Sequence, residues 1–358
     1  MNKKNIIMII IITAIIITII GIASISFNEE KTGYISDNQV VDMLGRTITV
    51  PENITHIASL SSSSTVQAYI FAPDKLVGWD SLRSPLQNKY MNREYVDLPY
   101  IGGGKQAANY ENYISLKPNL VFVGHAYSIE NVEPIQEKLG NIPLIDIEGD
   151  NNINTLTESI EFMGNILKNN ETSTNLLNFY NENMKMVEDR VKDIPAQDKK
   201  KVYYAREESG LSSHPAESQH TQLIEICGGD NVVKTELTKG GVGISIERII
   251  AWNPDVIIAN DAQFYEKVYS DPLWKDIKAV KNKEVYLAPQ SPFSWFAGPP
   301  GANTIIGIPW VAKVIYPEKF EDIDLKNMTK NFYSEFYHYN LTDNEVNDIL
   351  SSSGLKEY

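Results

Sequence analysis

Asn109-Tyr-Glu-Asn-Tyr-Ile-Ser-Leu-Lys-Pro-Asn-Leu-Val-Phe-Val123 and Ser245-Ile-Glu-Arg-Ile-Ile-Ala-Trp-Asn-Pro-Asp-Val-Ile-Ile-Ala259 decide the fold. In each, a glutamate stands seven residues before a proline, an apolar helical stretch lies between them, and a run of buried-strand residues follows. Helix, proline stop and continuous β-branched strand make one α/β unit of a parallel sheet covered on both faces. Two copies of the unit predict two similar Rossmann-like α/β lobes.

Between the copies runs a helical stretch, Asn154 to Ile194. It opens with Thr155-Leu-Thr-Glu158, a capping-box pattern, and places apolar residues at Leu156, Ile160, Met163 and Leu167, then at Leu177, Tyr180, Met184, Val187 and Val191. A single helix of that length would run roughly 50 Å, enough to join or brace two bodies. The expected organisation is a membrane anchor or signal segment at residues 1–27, a tether at 28–39, a first lobe at 40–152, the linking helix at 153–194, and a second lobe with terminal helices at 195–358.

The 358 residues and 42% hydrophobic content suffice for two cores. A formal charge of −14, with no basic block beyond the N-terminus, repels polyanions and argues against nucleic-acid binding. One cysteine, Cys227, excludes an intrachain disulfide and reads as a small buried hydrophobe. Ile6 to Ile25 is almost wholly apolar, preceded by Lys3 and Lys4 and followed by Glu29 and Glu30. That fits one spanning helix with a cytoplasmic N-terminus, with a cleaved signal peptide as the rival; either exports the rest of the chain. No cysteine follows the run, which excludes a lipoprotein anchor.

Phe27 to Gln39 is polar and patternless, the composition of a tether. Asp42 to Pro51 reads as a hairpin turning at Leu44-Gly45, Ile54 to Leu60 as the first core strand, and Ser61-Ser-Ser-Ser64 as the cap of a helix. Lys75 to Trp79 is the next strand, placing Trp79, Asp80 and Arg83 at a carboxyl edge, where such lobes bind ligands. Ile101-Gly-Gly-Gly-Lys105 is not a phosphate loop, since Pro99 stands where the first glycine belongs and Gln106 replaces the Ser/Thr. Gly103 there marks either a close backbone approach to ligand or a tight turn. The strand ending at Val123 runs into Gly124-His-Ala-Tyr127, which makes His125 and Tyr127 candidates. Past the linker, Lys201 to Ala205 is a strand whose edge carries Arg206, suited to anionic oxygens or to a surface ion pair. His214 and His220 follow at a spacing that is no metal motif. Pro292-Phe-Ser-Trp-Phe-Ala-Gly-Pro-Pro-Gly301 is a loop with more aromatics than loops ordinarily bury, so Phe293 and Trp295 are expected to line a cleft. No nucleophile elbow, Walker loop, zincin or dinucleotide motif occurs.

Taken in order, several marks resemble the substrate-binding proteins of ABC importers for iron chelates and cobalamin, the type with two lobes joined by a rigid helix. They are Asp42-x-x-Gly-Arg46 with Val50-Pro51, Ile57 to Thr65, Glu111 with Lys117-Pro-Asn-Leu-Val121, Gly228-Gly-Asp-Asn-Val232, Glu247 with Asn253-Pro-Asp-Val256, Ser270-Asp-Pro-Leu-Trp274 and Lys281-Asn-Lys-Glu-Val-Tyr286. The resemblance covers about Val40 to Leu350. It implies capture of a metal chelate between the lobes, a ferric siderophore first and a corrinoid or heme next, with iron or cobalt arriving as cargo and no resident cofactor. It implies delivery by a monomer to an ABC permease and ATPase, with no catalysis, at the outer face of the cell membrane. In relatives one glutamate on each lobe docks with arginines of the permease, and Glu111 and Glu247 match those positions. The ligand contacts expected are Trp79, Arg83, Gly103, His125, Tyr127, Arg206, His214, Phe293 and Trp295. The alternative class is a membrane-anchored bilobal enzyme of chelatase type.

Overall fold

A computed structural model describes residues 32–102, 110–124, 129–147, 152–236 and 240–358. The apolar run Ile6–Ile25 expected to anchor the chain lies outside the described residues. So do Gly103, His125 and Tyr127. Among the described residues no helix is long and apolar enough to cross a membrane.

Residues Gly33–Tyr358 form one compact unit. It opens with β1 (Gly33–Ser36), β2 (Gln39–Val41) and β3 (Thr47–Thr49), an antiparallel sheet in the order β1-β2-β3. The tether expected at 28–39 is thus corrected in its second half. Tyr34 donates its hydroxyl to the Ile166 carbonyl at 3.3 Å, so this strand is fastened to the linking region rather than spaced from it. Asp42 anchors the hairpin by accepting the backbone amides of Leu44 and Arg46 and pairing with the Arg46 guanidinium at 2.6 Å.

The first lobe is built on β4 (Ile57–Ser59), β5 (Leu120–Gly124) and β6 (Leu144–Ile147), parallel and in the order β4-β5-β6. Leu76 bridges to Ile57, and Trp79 to Tyr100, so the segment expected as a strand at Lys75–Trp79 extends the sheet only through isolated bridges. The second lobe carries β7 (Lys201–Ala205), β8 (Ser212–Ser213), β9 (Asp230–Asn231), β10 (Val242–Gly243), β11 (Val256–Ala259) and β12 (Val285–Leu287). Its parallel sheet runs β12-β11-β7-β9, with β8 and β10 paired separately as antiparallel.

The repeat in the sequence is a repeat in three dimensions. Leu120 and Phe122 of β5, like Val256 and Ile258 of β11, face one large core shared by both lobes, whereas Val121 and Val123, like Ile257 and Ala259, face separate outer cores. Successive strand residues point to opposite faces, so both strands are buried twice. Lys117 and Asn253, each just before the proline, both take left-handed φ, 52° and 48°. That ends each preceding helix before the proline.

The linker is not one helix. It is a pair, Leu156–Ile166 and Asn170–Val191, broken at Leu167-Lys168-Asn169. Lys168 sits at φ 55° and Asn169 caps the second helix by accepting the Thr172 amide, so the interruption in the apolar pattern is a turn. The two helices pack on each other. A Cβ on Gly164 would lie 2.5 Å from that of Ser173, and the Ser173 hydroxyl donates to the Ile160 carbonyl. The second helix, 22 residues, spans about 33 Å rather than 50 Å. Thr155 makes no side-chain cap, whereas Thr342 with Glu345 forms the complete capping box expected of the last helix, Asp343–Ser352. Cys227 is fully buried, and burial pushes its thiol up.

Candidate functional site

In a parallel α/β sheet the carboxyl edge offers backbone amides and loop side chains to a ligand. The edge loops of the two lobes meet through one segment, Ser291 to Ala297. At its start the Pro292 carbonyl accepts from Arg83 Nη2 at 2.8 Å, and Ser291 Oγ accepts the Tyr90 amide at 3.2 Å. At its end the Ala297 carbonyl lies 2.6 Å from His220 Nδ1. A carbonyl only accepts, so Nδ1 carries the proton. One loop, the floor loop, therefore holds a cation of the first lobe at its start and an imidazole of the second at its end.

Arg83 is held on three sides. Its guanidinium lies 4.3 Å from the Trp79 ring centroid and 5.0 Å from that of Phe293, Nε donates to Asn88, and Nη2 donates to the Gln87 carbonyl. Burial lowers its pKa to about 10, which leaves it charged at neutral pH. Beside it Asp80 is almost wholly buried and accepts from the Ser62 hydroxyl at 2.6 Å; burial raises its carboxyl above the ordinary value, against the opposing pull of that hydrogen bond. Ser62 opens the helix Ser62–Phe71, capped by Ser61 through the Ser64 amide.

On the second lobe, His214 and His220 stack with ring centroids 4.2 Å apart at 14°, and His214 stacks in turn on Tyr204. Arg206, at the end of β7, donates to the Gly240 carbonyl at 2.9 Å. The next residue must be glycine for a steric reason, because a Cβ on Gly241 would lie 2.4 Å from Arg206 Nη1 and 2.7 Å from the Ser213 carbonyl oxygen.

Three of the expected contacts are buried. Trp79 is 3% exposed, Phe293 4% and Trp295 0%. Trp79 donates its indole to the Tyr95 carbonyl and joins Tyr69, Phe293 and Tyr337 in a chain of rings at 5.4–6.1 Å. Trp295 donates to the Tyr333 hydroxyl. The loop had room to bury its aromatics because the helix Leu325–Phe336, from much further along the chain, packs on it through Tyr333, which loop composition cannot reveal. His214 is likewise buried, and Arg83 and Arg206 are the described contacts that stay half-buried rather than fully buried. Sequence reading passed over His220, whose spacing from His214 fits no local motif; stacking brings the pair together, and no linear signal marks that.

Glu111 and Glu247 are exposed on the helices Tyr110–Ser115 and Ile246–Trp252, which cover the outer faces of β5 and β11. Its own backbone amide and the Ser245 hydroxyl hold the Glu247 carboxyl below the usual range. Among the described residues no three His, Cys, Asp or Glu side chains come together as a metal site.

A family model described as periplasmic binding protein matches residues 57–292. The molybdate-binding protein MolA of Haemophilus influenzae is 26% identical over 346 residues, covering 88% of this chain and 94% of that protein. The structure of an ABC transporter solute binding protein from Sulfurospirillum deleyianum matches with a TM-score of 0.81 at 26% identity, over 88% of this chain and 100% of its own. The high-affinity heme uptake system protein IsdE of Staphylococcus aureus is 24% identical over 224 residues, covering 58% of this chain and 72% of that protein. The names of two of these relatives specify different ligands, molybdate and heme. With the match running through both sheets and the floor loop's start, the chain belongs to the periplasmic binding protein family, as the substrate-binding component of an ABC importer.

Proposed function

We propose that the chain captures a small, oxygen-rich anion outside the cytoplasm and delivers it to the permease and ATPase of its importer. The observation that carries this is the floor loop, which fixes Arg83 and His220 from opposite lobes while turning Phe293 and Trp295 into the core. Guanidinium and imidazole donors suit the oxygens of an oxyanion or of a compact carboxylate chelate. A siderophore, corrinoid or heme needs apolar ring surface for its organic shell, and the aromatics expected to supply it are buried. The molybdate named for the Haemophilus relative is the same chemistry. The apolar run Ile6–Ile25 holds the protein at the outer face of the membrane, or is cleaved on export.

Trp79 lies against Arg83 and reports on it. Its fluorescence is titrated with molybdate, tungstate, sulfate, ferric citrate, a ferric catecholate, cobalamin and heme. Saturable one-to-one binding of an oxyanion or of ferric citrate supports the reading. Tight binding of the catecholate, cobalamin or heme with none of the small anions refutes it. Turnover of a metal-free tetrapyrrole would restore the chelatase alternative.

A further inference from the structure

On each lobe, the helix that carries the outward glutamate also exposes an isoleucine. The helix Tyr110–Ser115 buries Tyr113 completely and leaves Ile114 43% exposed; the helix Ile246–Trp252 buries Ile249 completely and leaves Ile250 46% exposed. Counted from the glutamate, the order is the same in both: the second residue on anchors the helix to its sheet, and the third is the exposed isoleucine. Residues three apart on a helix are neighbours on one face, so Glu111 with Ile114 and Glu247 with Ile250 make two matching patches. Neither isoleucine belongs to a core cluster. Single exposed apolar residues are ordinary, but two at equivalent positions of an internal repeat present one chemistry twice.

A surface that presents one chemistry twice fits a partner that does the same, which is a two-fold symmetric assembly. The charge of −14 and the acid in each patch disfavour a second copy of this chain and an anionic lipid surface, and favour apolar sockets rimmed by basic groups. We propose that Ile114 and Ile250 are the apolar anchors that seat the two lobes in two equivalent sockets of the importer's permease pair, with Glu111 and Glu247 as the charged rim. This rests on the importer reading. A buried apolar centre inside a charged rim is where interfaces concentrate their affinity, the rim acting mainly on association rate.

The test uses the full chain and the permease–ATPase complex of the same cells in lipid nanodiscs, with Kd and rates measured at low and high salt. Ile114→Ser and Ile250→Ser should each weaken binding about tenfold, through dissociation and at both salt concentrations, and the double variant about a hundredfold. Glu111→Gln with Glu247→Gln should slow association at low salt only. Leu273→Ser, 55% exposed but off both helices, should change nothing, and anion titrations should match wild type throughout. An unchanged Kd in the double isoleucine variant, with the glutamate variant weakened, overturns the anchors and leaves the docking face standing. If neither pair of substitutions matters, the face itself is wrong. If the wild-type chain does not bind the complex, the importer reading falls and this inference with it. Self-association or binding to anionic vesicles that the double isoleucine variant abolishes assigns the patches to another occupant and also refutes it.

Discussion

Gly307→Ala tests whether the floor loop controls the site. Gly307 begins the helix Gly307–Ile315, and a Cβ there would lie 1.8 Å from the Trp295 carbonyl oxygen and 2.9 Å from its carbon. Both obstacles are backbone, so no side-chain rotation relieves the overlap, and the loop must move by more than about 1 Å. Over-packing of this kind costs about 3 kcal/mol, the top of its usual range. For a unit this large, that lowers the thermal midpoint by roughly 4 °C. The displaced segment also carries the Pro292 and Ala297 carbonyls that hold Arg83 and His220, so anion affinity should fall about tenfold or more in the folded variant. Differential scanning calorimetry gives the first number and fluorescence titration of the refolded sample the second. Gly243→Ala, where nothing lies within 4 Å of the new Cβ, is the matched control and should stay within about 0.5 kcal/mol of wild type. A Gly307→Ala protein with wild-type midpoint and wild-type affinity would refute both the packing account and the role of the loop.

Arg83→Lys keeps the charge but loses the fork that reaches Asn88, Gln87 and Pro292 together, so anion affinity should drop about tenfold while the fold survives, as calorimetry would establish. Burial raises the Glu225 carboxyl to about 7, from 4.5. A raised folded pKa favours the native state fully below the unfolded value and loses that advantage as pH rises through about 7. Glu225→Gln should therefore raise the midpoint relative to wild type at pH 8 and narrow or reverse the difference at pH 5; equal shifts at both would discard the explanation. Asp348 accepts from Tyr90 and pairs with Lys89 across the lobes, so Asp348→Ala should loosen that side of the interface and speed amide exchange around Tyr90, read by mass spectrometry. Glu111→Arg with Glu247→Arg should abolish uptake in cells and leave anion affinity unchanged; lost affinity would remove the docking assignment.

The sequence by itself determined the two lobes, because each α/β unit is written locally: β-branched runs buried on both faces and a proline that stops the preceding helix. The repeat was legible for the same reason, whereas which strand residues share the central core came from the structure. It also placed Arg83, Arg206, Glu111 and Glu247 on loops and helix starts, positions that follow from order along the chain. What only the tertiary structure decided depends on segments far apart in sequence. The linker folds back as two helices because Lys168 and Asn169 turn it and Gly164 admits Ser173, a packing event the apolar period does not encode. Phe293 and Trp295 are core because Tyr333 and Tyr337, from the helix Leu325–Phe336 and the residue that ends it, close over their loop. His220 joins His214 because the Ala297 carbonyl holds it there. Burial and stacking are sums over neighbours from the whole chain, and a local stretch of sequence carries only its own share.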